Sequence, residues 1–292
     1  MSPESQQKTW RMLDLINWSV DYLNEKGVEN SRTAVEWMLT HVLKLSRVDL
    51  YLNFDRPLSR EELSAYKPLL LKCAAHQPVQ QVIGSTEFYG LQLKVNEHVL
   101  IPRPETEQMV DYIIHLADKS RENLSILDIG SGSGAIAISL ALLLPNASVT
   151  ALEVSPEAAD VLKHNLRFHN LANRVSVIRE DVFSWNCEKQ YDIIVSNPPY
   201  ISLEEMESLP PNVGYYEPPM ALTDREDGLR FYRFFSQRFQ HWLAPGGMAV
   251  LEFGGPGQTD SIKELFKDFD HVVVRKDYQN DDRFISFFKP EP

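Results

Sequence analysis

Through the first eighty residues apolar positions recur every three or four places, and beyond residue 125 they gather into short runs separated by longer amphipathic stretches. Trp10, Leu13, Ile16, Val20 and Leu23 predict one helix, with Gly27 as its C-terminal stop. Ser31 is placed to cap a second helix carrying Ala34, Trp37, Met38, His41, Val42 and Leu45. Ser59-Arg60-Glu61-Glu62 has the form of a capping box and opens a third through Leu63, Leu70 and Cys73. Residues 1–80 therefore read as a small helical bundle, whose aromatic residues are assigned to its core rather than to a contact surface. Residues 81–104 change character: Glu87 to Leu100 alternates and contains glycine, which predicts a β-hairpin linker. Pro102-Arg103-Pro104-Glu105 then stiffens the chain and opens a helix over Glu105 to Ala117. A loop so fixed either lines a site or serves as a plain hinge.

From Ser125 strands and helices alternate. Strands are predicted up to Asp128, over Val149–Leu152, over Arg174–Arg179 and over Asp192–Ser196, with helices to Leu144 and over Pro156–His169. A helix over Glu226–Leu243, a strand over Met248–Phe253, a helix over Ser261–Phe269 and closing strands Val272–Arg275 and Phe284–Phe288 complete the series. The pattern is that of an α/β, doubly wound, Rossmann-like sheet over residues 105–292, with an antiparallel pair at its end. In such a sheet ligands bind at the carboxyl ends of the strands.

Composition narrows the classes. A chain of 292 residues accommodates two domains, and no apolar run approaches the ~20 residues of a membrane span. The N-terminal MSPESQQKTW has neither an apolar signal core nor an arginine-rich leader, so a cytoplasmic protein is expected, without a membrane partner. Cys73 and Cys187 lie far apart and the eight histidines lack ligand spacing, so neither a disulfide framework nor a metal is expected. A formal charge of −12 opposes a tight grip on duplex DNA, and specific DNA binding is not expected.

The strand ends carry the chemistry. Tyr191–Tyr200 reads YDIIVSNPPY, a buried-type strand ending in a tetrapeptide whose two prolines fix φ and remove two donors. The remaining turn presents acceptors, the Asn197 side-chain oxygen and the Pro198 carbonyl, beside the Pro199 ring and the aromatic face of Tyr200. A planar group with two N–H bonds, a carboxamide or an exocyclic amine, suits that arrangement. Upstream, ILDIGSGSGAIAISLA (126–141) is a strand, a turn with Gly130, Gly132 and Gly134, and a helix. Glycine lets the backbone approach a ligand, and the helix N-terminus offers free N–H groups. The next strand ends at Glu153, which can accept from a ribose diol, and the third at Glu180-Asp181-Val182, where Asp181 can receive an adenine amine. Gly130, Gly132 and Ala135 also satisfy a dinucleotide fingerprint, so a nicotinamide dehydrogenase is one alternative. Asp128 counts against it, since a carboxylate there repels a pyrophosphate and welcomes an ammonium.

The Asn-Pro-Pro-Tyr turn looks like the signature of S-adenosylmethionine-dependent methyltransferases acting on planar nitrogens. PVQQVIGSTEFYG (78–90), VLIPRPETE (99–107), LDIGSGSGAIA (127–137), SNPPYI (196–201), EPPMAL (217–222), DGLRFYR (227–233) and LAPGGMAVLEFG (243–254) together closely resemble the release-factor glutamine N5-methyltransferase family. The resemblance implies methylation of the glutamine in the Gly-Gly-Gln motif of peptide chain release factors, with S-adenosylmethionine as cofactor. It implies catalytic roles for Asn197, Pro198 and Tyr200, with Pro199 joining them in holding the substrate. It implies cofactor contacts at Asp128, Gly130, Ser131, Gly132, Ser133, Gly134, Glu153, Asp181, Val182 and Asn197. The place of the helical bundle outside the cofactor fold, the stiff linker at 99–107 and the acidic balance of the chain predict that the bundle recognises the protein substrate. Positioning and charge complementarity would supply the catalysis, the amide proton leaving after transfer. Three segments depart from the family pattern: Glu153 stands where aspartate is usual, GGPGQ (254–258) follows the fifth strand, and DYQNDDRF (277–284) lacks a glycine. An adenine-N6 nucleic-acid methyltransferase, which uses the same turn on a flipped base, is the main competing reading.

Overall fold

The computed structural model describes residues 9–117 and 123–291. They divide into two compact units, one running up to Gly84 and including Pro211–Tyr216, the other holding Ser85–Pro210 and Glu217 onward.

The first unit contains α1 (Met12–Glu25), α2 (Ser31–Leu43), α3 (Arg47–Leu52), α4 (Arg60–Ala74) and α5 (Val79–Ile83). Met12, Leu15, Ile16 and Leu23 of α1 pack with Val35, Met38 and Leu39 of α2 and with Tyr66, Leu70 and Cys73 of α4. α1 stops as expected: Gly27 takes φ +73°, its N–H reaching Asn24 O, and Val28 N–H reaching Leu23 O. The box on α4 is present, with Ser59 Oγ accepting from Glu62 N and Glu62 returning to Ser59 N. Ser31 is not the cap of α2 but its first residue; Asn30 takes the flanking place and Ser31 Oγ donates to Val28 O. α3 opens on a second box, Ser46 with Asp49, that the apolar periodicity did not reveal. The assignment of aromatics to the core is corrected in part, because Trp18, Tyr51 and Phe54 are exposed. A distant segment completes this unit, where Gln81 Nε2 donates to Tyr216 O and Tyr216 OH to Ala75 O.

The second unit starts with the hairpin β1 (Ser85–Phe88) and β2 (Leu91–Lys94), earlier and shorter than the alternation suggested. Tyr89 and Gly90 at φ +52° and +72° supply its turn. Phe88 and Leu93 enter the core of this unit, so the hairpin is built into it. α6 (Pro104–Leu116) follows, then β3 (Leu124–Ile129), α7 (Ala135–Leu143), β4 (Ala147–Leu152), α8 (Pro156–Phe168), β5 (Val175–Ile178) and β6 (Tyr191–Ser196). Beyond the short helices α9 (Pro211–Gly214, in the first unit) and α10 (Pro219–Leu222) come α11 (Arg230–Trp242), β7 (Leu243–Glu252), α12 (Pro256–Leu265), β8 (Asp270–Lys276) and β9 (Asp282–Phe288). The seven-stranded sheet has the order β5-β4-β3-β6-β7-β9-β8. Its first five strands are parallel, and β9 lies between β7 and β8, antiparallel to both. One face packs on α6, α7, α8 and the hairpin, the other on the aromatic-rich α11 and α12. Strand order reverses between β3 and β6, which is where a doubly wound sheet opens its ligand crevice.

Candidate active site

A cavity of about 240 Å³ lies at those carboxyl ends, and the ends of β3, β4, β5 and β6 all contribute to its wall. From the first come Gly130, Ser131, Gly132 and Ser133, from the second Glu153, from the third Asp181 and Val182, from the fourth Asn197, Pro198 and Pro199. Three other expected site residues are not on the wall: Asp128, Gly134 and Tyr200. Asp128 is fully buried beneath the glycine loop, Gly134 packs into the core, and the Tyr200 ring joins the aromatic cluster on the α11 side.

The glycine loop owes its shape to the backbone. Gly130, Gly132 and Gly134 have φ of +74°, +53° and +86°, in the left-handed region where a Cβ is costly. Gly130 N–H is held by Leu152 O, Gly134 N–H by Ser131 O, and the Ser133 carbonyl by Asn165 Nδ2 of α8. Asn165 also binds Lys94 through both its backbone N–H and its carbonyl, so hairpin, helix and loop are tied at one residue.

Glu153 is buried, its Oε2 accepting from Gly132 N at 2.8 Å and its Oε1 from Ser155 N at 2.9 Å. Burial pushes its carboxyl upward, opposed by these backbone donors. Each oxygen keeps acceptor capacity for a diol. Neither carboxylate oxygen of Asp128 meets a donor in hydrogen-bonding geometry among the described residues. Burial pushes Asp128 up to about 7, with Glu153 adding to the shift and nearby Ser131 and Ala137 N–H tempering it. A buried acidic pair under a glycine cradle suits a cofactor bearing an ammonium, a sulfonium and a ribose, so the residues fit S-adenosylmethionine. Asp181 is exposed and uses one oxygen to accept from Phe183 N at 3.0 Å; Phe231, packed on Phe183, continues the wall beside buried Val182.

The Pro102-Arg103-Pro104 segment lines the cavity rather than serving as a plain hinge, since Pro102, Arg103 and Thr106 are all on the wall. Arg103 Nη2 donates at 2.6 Å to the buried Glu217, at the head of the EPPMAL segment. Asn197 Nδ2 donates to Thr106 Oγ1 at 3.3 Å. A third element reaches the turn: Gln258 Nε2 donates to Tyr200 O at 2.8 Å while its Oε1 accepts from Gly254 N. The atypical GGPGQ stretch therefore clasps the tail of the Asn-Pro-Pro-Tyr turn. Within 277–284, which lacks a glycine, Asn280 takes φ +69° between β8 and β9. Thr106 and Glu217 fall within segments that carry the resemblance and Gln258 within a departure from it, but the roles of all three were hidden because their partners lie 91, 114 and 58 positions away in sequence.

Two family models match this chain, the PrmC N-terminal domain over residues 14–84 and the methyltransferase small domain over residues 112–209. A release factor glutamine methyltransferase of Geobacter sulfurreducens is 41% identical over 88% of this chain and 88% of its own length. One from Chlorobaculum tepidum is 37% identical over 96% and 98% respectively. Among solved structures, a methyltransferase from Pyrococcus furiosus shares the fold at a TM-score of 0.51, with 21% identity over 78% of this chain and 99% of that one. No helix among the described residues is long and apolar enough to cross a membrane. With the identity, the coverage and the folded strand-end chemistry in agreement, this chain belongs to the release factor glutamine methyltransferase family.

Proposed function

We propose that this protein transfers a methyl group from S-adenosylmethionine to the side-chain amide nitrogen of the glutamine in the Gly-Gly-Gln motif of peptide chain release factors. The observation that carries the reading is the shared cavity: the glycine cradle and Glu153 line the same cavity as Asn197 and Pro198. The cofactor, when bound, would supply an electrophilic methyl on a sulfonium, with the neutral thioether as leaving group.

The protein's own residues have two tasks. Gly130, Ser131, Gly132, Ser133, Glu153, Asp181 and Val182 would hold the cofactor, Glu153 by accepting from the ribose hydroxyls and Asp181 from the adenine amine. Asp128 acts from beneath the loop through its charge rather than by lining the cavity. On the other side, the Asn197 oxygen and the Pro198 carbonyl accept the two N–H bonds of the target amide. That amide's lone pair is delocalised and weakly nucleophilic, so acceptors that strengthen as positive charge develops on nitrogen lower the barrier. Pro199 packs its flat face and Tyr200 braces the turn from behind. The nitrogen gains methyl and loses a proton to solvent.

The helical bundle would grip the release factor away from the reacting glutamine, since Gly-Gly-Gln offers little side chain and affinity must come from remote contacts. Duplex DNA would be a poor partner for a chain of net charge −12. Incubation with methyl-labelled cofactor and purified release factor, followed by peptide mass spectrometry, tests the proposal. Label on the glutamine of Gly-Gly-Gln is expected; label confined to other residues, or to adenine in added DNA, would overturn it.

A further inference from the structure

Behind Asn197 runs a buried hydrogen-bond chain for which the transfer just described has no use. Asn197 Nδ2 donates to Thr106 Oγ1 at 3.3 Å, and Thr106 Oγ1 donates to Glu252 Oε2 at 2.7 Å. Thr106 and Glu252 are 4% and 1% exposed, so water does not compete for either contact. The three residues come from the start of α6, the turn after β6 and the last position of β7. Thr106 is fixed in addition by its N–H to Arg103 O at the first turn of α6.

The chemistry of the far end decides the direction of the whole chain. A carboxylate only accepts, so the Thr106 hydroxyl must spend its one proton on Glu252. What Thr106 then offers Asn197 is a lone pair, and only the NH₂ side of the Asn197 amide can satisfy it. The Asn197 oxygen is thereby turned the other way. An asparagine amide is nearly symmetric in shape, and without such a partner its two ends exchange at little cost. We propose that Thr106 and Glu252 are positioning residues that set the polarity of the Asn197 amide, holding its oxygen toward the cavity so that the site accepts a planar N–H₂ group and rejects a carbonyl edge. This inference rests on the glutamine-methylation reading and concerns how that site recognises its substrate.

The surroundings of Glu252 give the chain a second state. Arg283 of β9 faces it and favours the charged form, while Glu105 of α6 opposes that form. The phenols of Tyr200 and Tyr232 also feel its charge, though Tyr232 OH is spent on the Glu252 backbone carbonyl at 2.6 Å. Burial outweighs the Thr106, Arg283 and Asn197 contributions and pushes the Glu252 carboxyl up to about 7. Below that value it becomes a carboxylic acid, able to donate to Thr106. The Thr106 hydroxyl is then released to donate to Asn197, whose oxygen turns inward and whose NH₂ faces the cavity. A target amide would meet a donor where it needs an acceptor. The sign is therefore fixed: the positioned state is present above about pH 7 and is lost as pH falls through it.

The test uses the full chain, with release factor as substrate and kcat and KM measured from mildly acidic to alkaline pH. Thr106→Val keeps the shape and deletes the relay; kcat should fall by about tenfold or more. Cofactor affinity by calorimetry should stay within about twofold, because the cradle is untouched. Thr106→Ser restores the hydroxyl and should recover most of the rate. Glu252→Gln has an end that both donates and accepts, so its rate should be reduced and its acid limb near pH 7 removed. Wild-type kcat in Thr106→Val, or an unchanged acid limb in Glu252→Gln, would overturn the proposal. If Thr106→Val does not fold, as read by thermal unfolding, the Glu252→Gln pH profile decides. A wild-type protein that modifies no release factor glutamine would instead sink the functional reading, which keeps the two failures apart.

Discussion

Two glycines two positions apart in one loop should fail in opposite ways when given a methyl group. At Gly134 the φ is +86°, and an added Cβ would stand 2.3 Å from Leu162 Cδ1 and 3.1 Å from Ile138 Cδ1. Leu162 and Ile138 are both fully buried, so neither withdraws cheaply. Gly134→Ala thus combines a left-handed backbone penalty of about 1–2 kcal/mol with an overpacking penalty of about 1–3 kcal/mol. The sum, about 2–5 kcal/mol, is a large part of a typical domain stability of about 5–15 kcal/mol. At Gly132 the φ is +53° and no atom lies within 4 Å of the new methyl, leaving the backbone penalty alone. Gly132, however, lines the cavity and Gly134 does not. Urea unfolding without cofactor should therefore show Gly134→Ala destabilised well beyond Gly132→Ala, with a fall in melting temperature on the order of 10 °C. Calorimetric titration with S-adenosylmethionine should show the reverse order, Gly132→Ala binding more weakly than folded Gly134→Ala. The double variant Gly134→Ala/Leu162→Ala should recover part of the packing loss and none of the backbone loss. Equal stability of the two single variants would refute the steric argument.

Asn197→Ala removes an acceptor whose hold tightens as charge develops on the target nitrogen, so kcat should fall by about 100-fold, with cofactor affinity changed far less. A variant turning over at the wild-type rate would remove Asn197 from catalysis. Glu153→Ala should weaken cofactor binding by about 1–3 kcal/mol, as expected for hydrogen bonds to a buried charged group, and unchanged calorimetry would place the ribose elsewhere. For Asp128 the folded carboxyl lies at about 7 against an unfolded value near about 4, so folding favours its protonated form. Its contribution is greatest below about pH 4 and is lost as pH rises through about 7. Asp128→Asn should flatten that decline in the cofactor-free protein, raise its stability at pH 8 relative to wild type, and weaken cofactor binding; parallel stability curves would exclude the effect.

The order of elements in the sheet unit was legible because the parallel strands are short apolar runs ending in polar or glycine residues, and the long helices repeat at their own period. Asp128, Glu153 and Asp181 could be placed at strand ends for the same reason. What sequence could not give was direction. Tyr200 sits next to Pro199 in the chain, yet its ring joins the aromatic cluster with Phe235 and Phe253 while Pro199 lines the cavity. Asp128, two residues from Gly130, points beneath the loop because β3 alternates its faces there. Helices α3 and α5 escaped notice because six and five residues are too few to display a period, although Ser46 and Asp49 had spelled out a cap. The pairing of Thr106 with both Asn197 and Glu252, 91 and 146 positions away, exists only once the sheet has formed.

The chain crosses between its two compact units at 84/85, 210/211 and 216/217, not once. A family whose halves were joined by a single tether could exchange them as cassettes, one recognition bundle for another. This protein cannot be cut that way. A scissor placed after Gly84 strips Pro211–Tyr216 of Ala75 and Gln81, its hydrogen-bond partners in the bundle. The ends of that segment are eleven residues after Tyr200 and the residue before Glu217, the carboxylate that holds Arg103 on the cavity wall. Exchange of the bundle therefore has to carry residues 211–216 with it, and a chimera that moves the bundle without them should unfold at lower temperature than one that moves both.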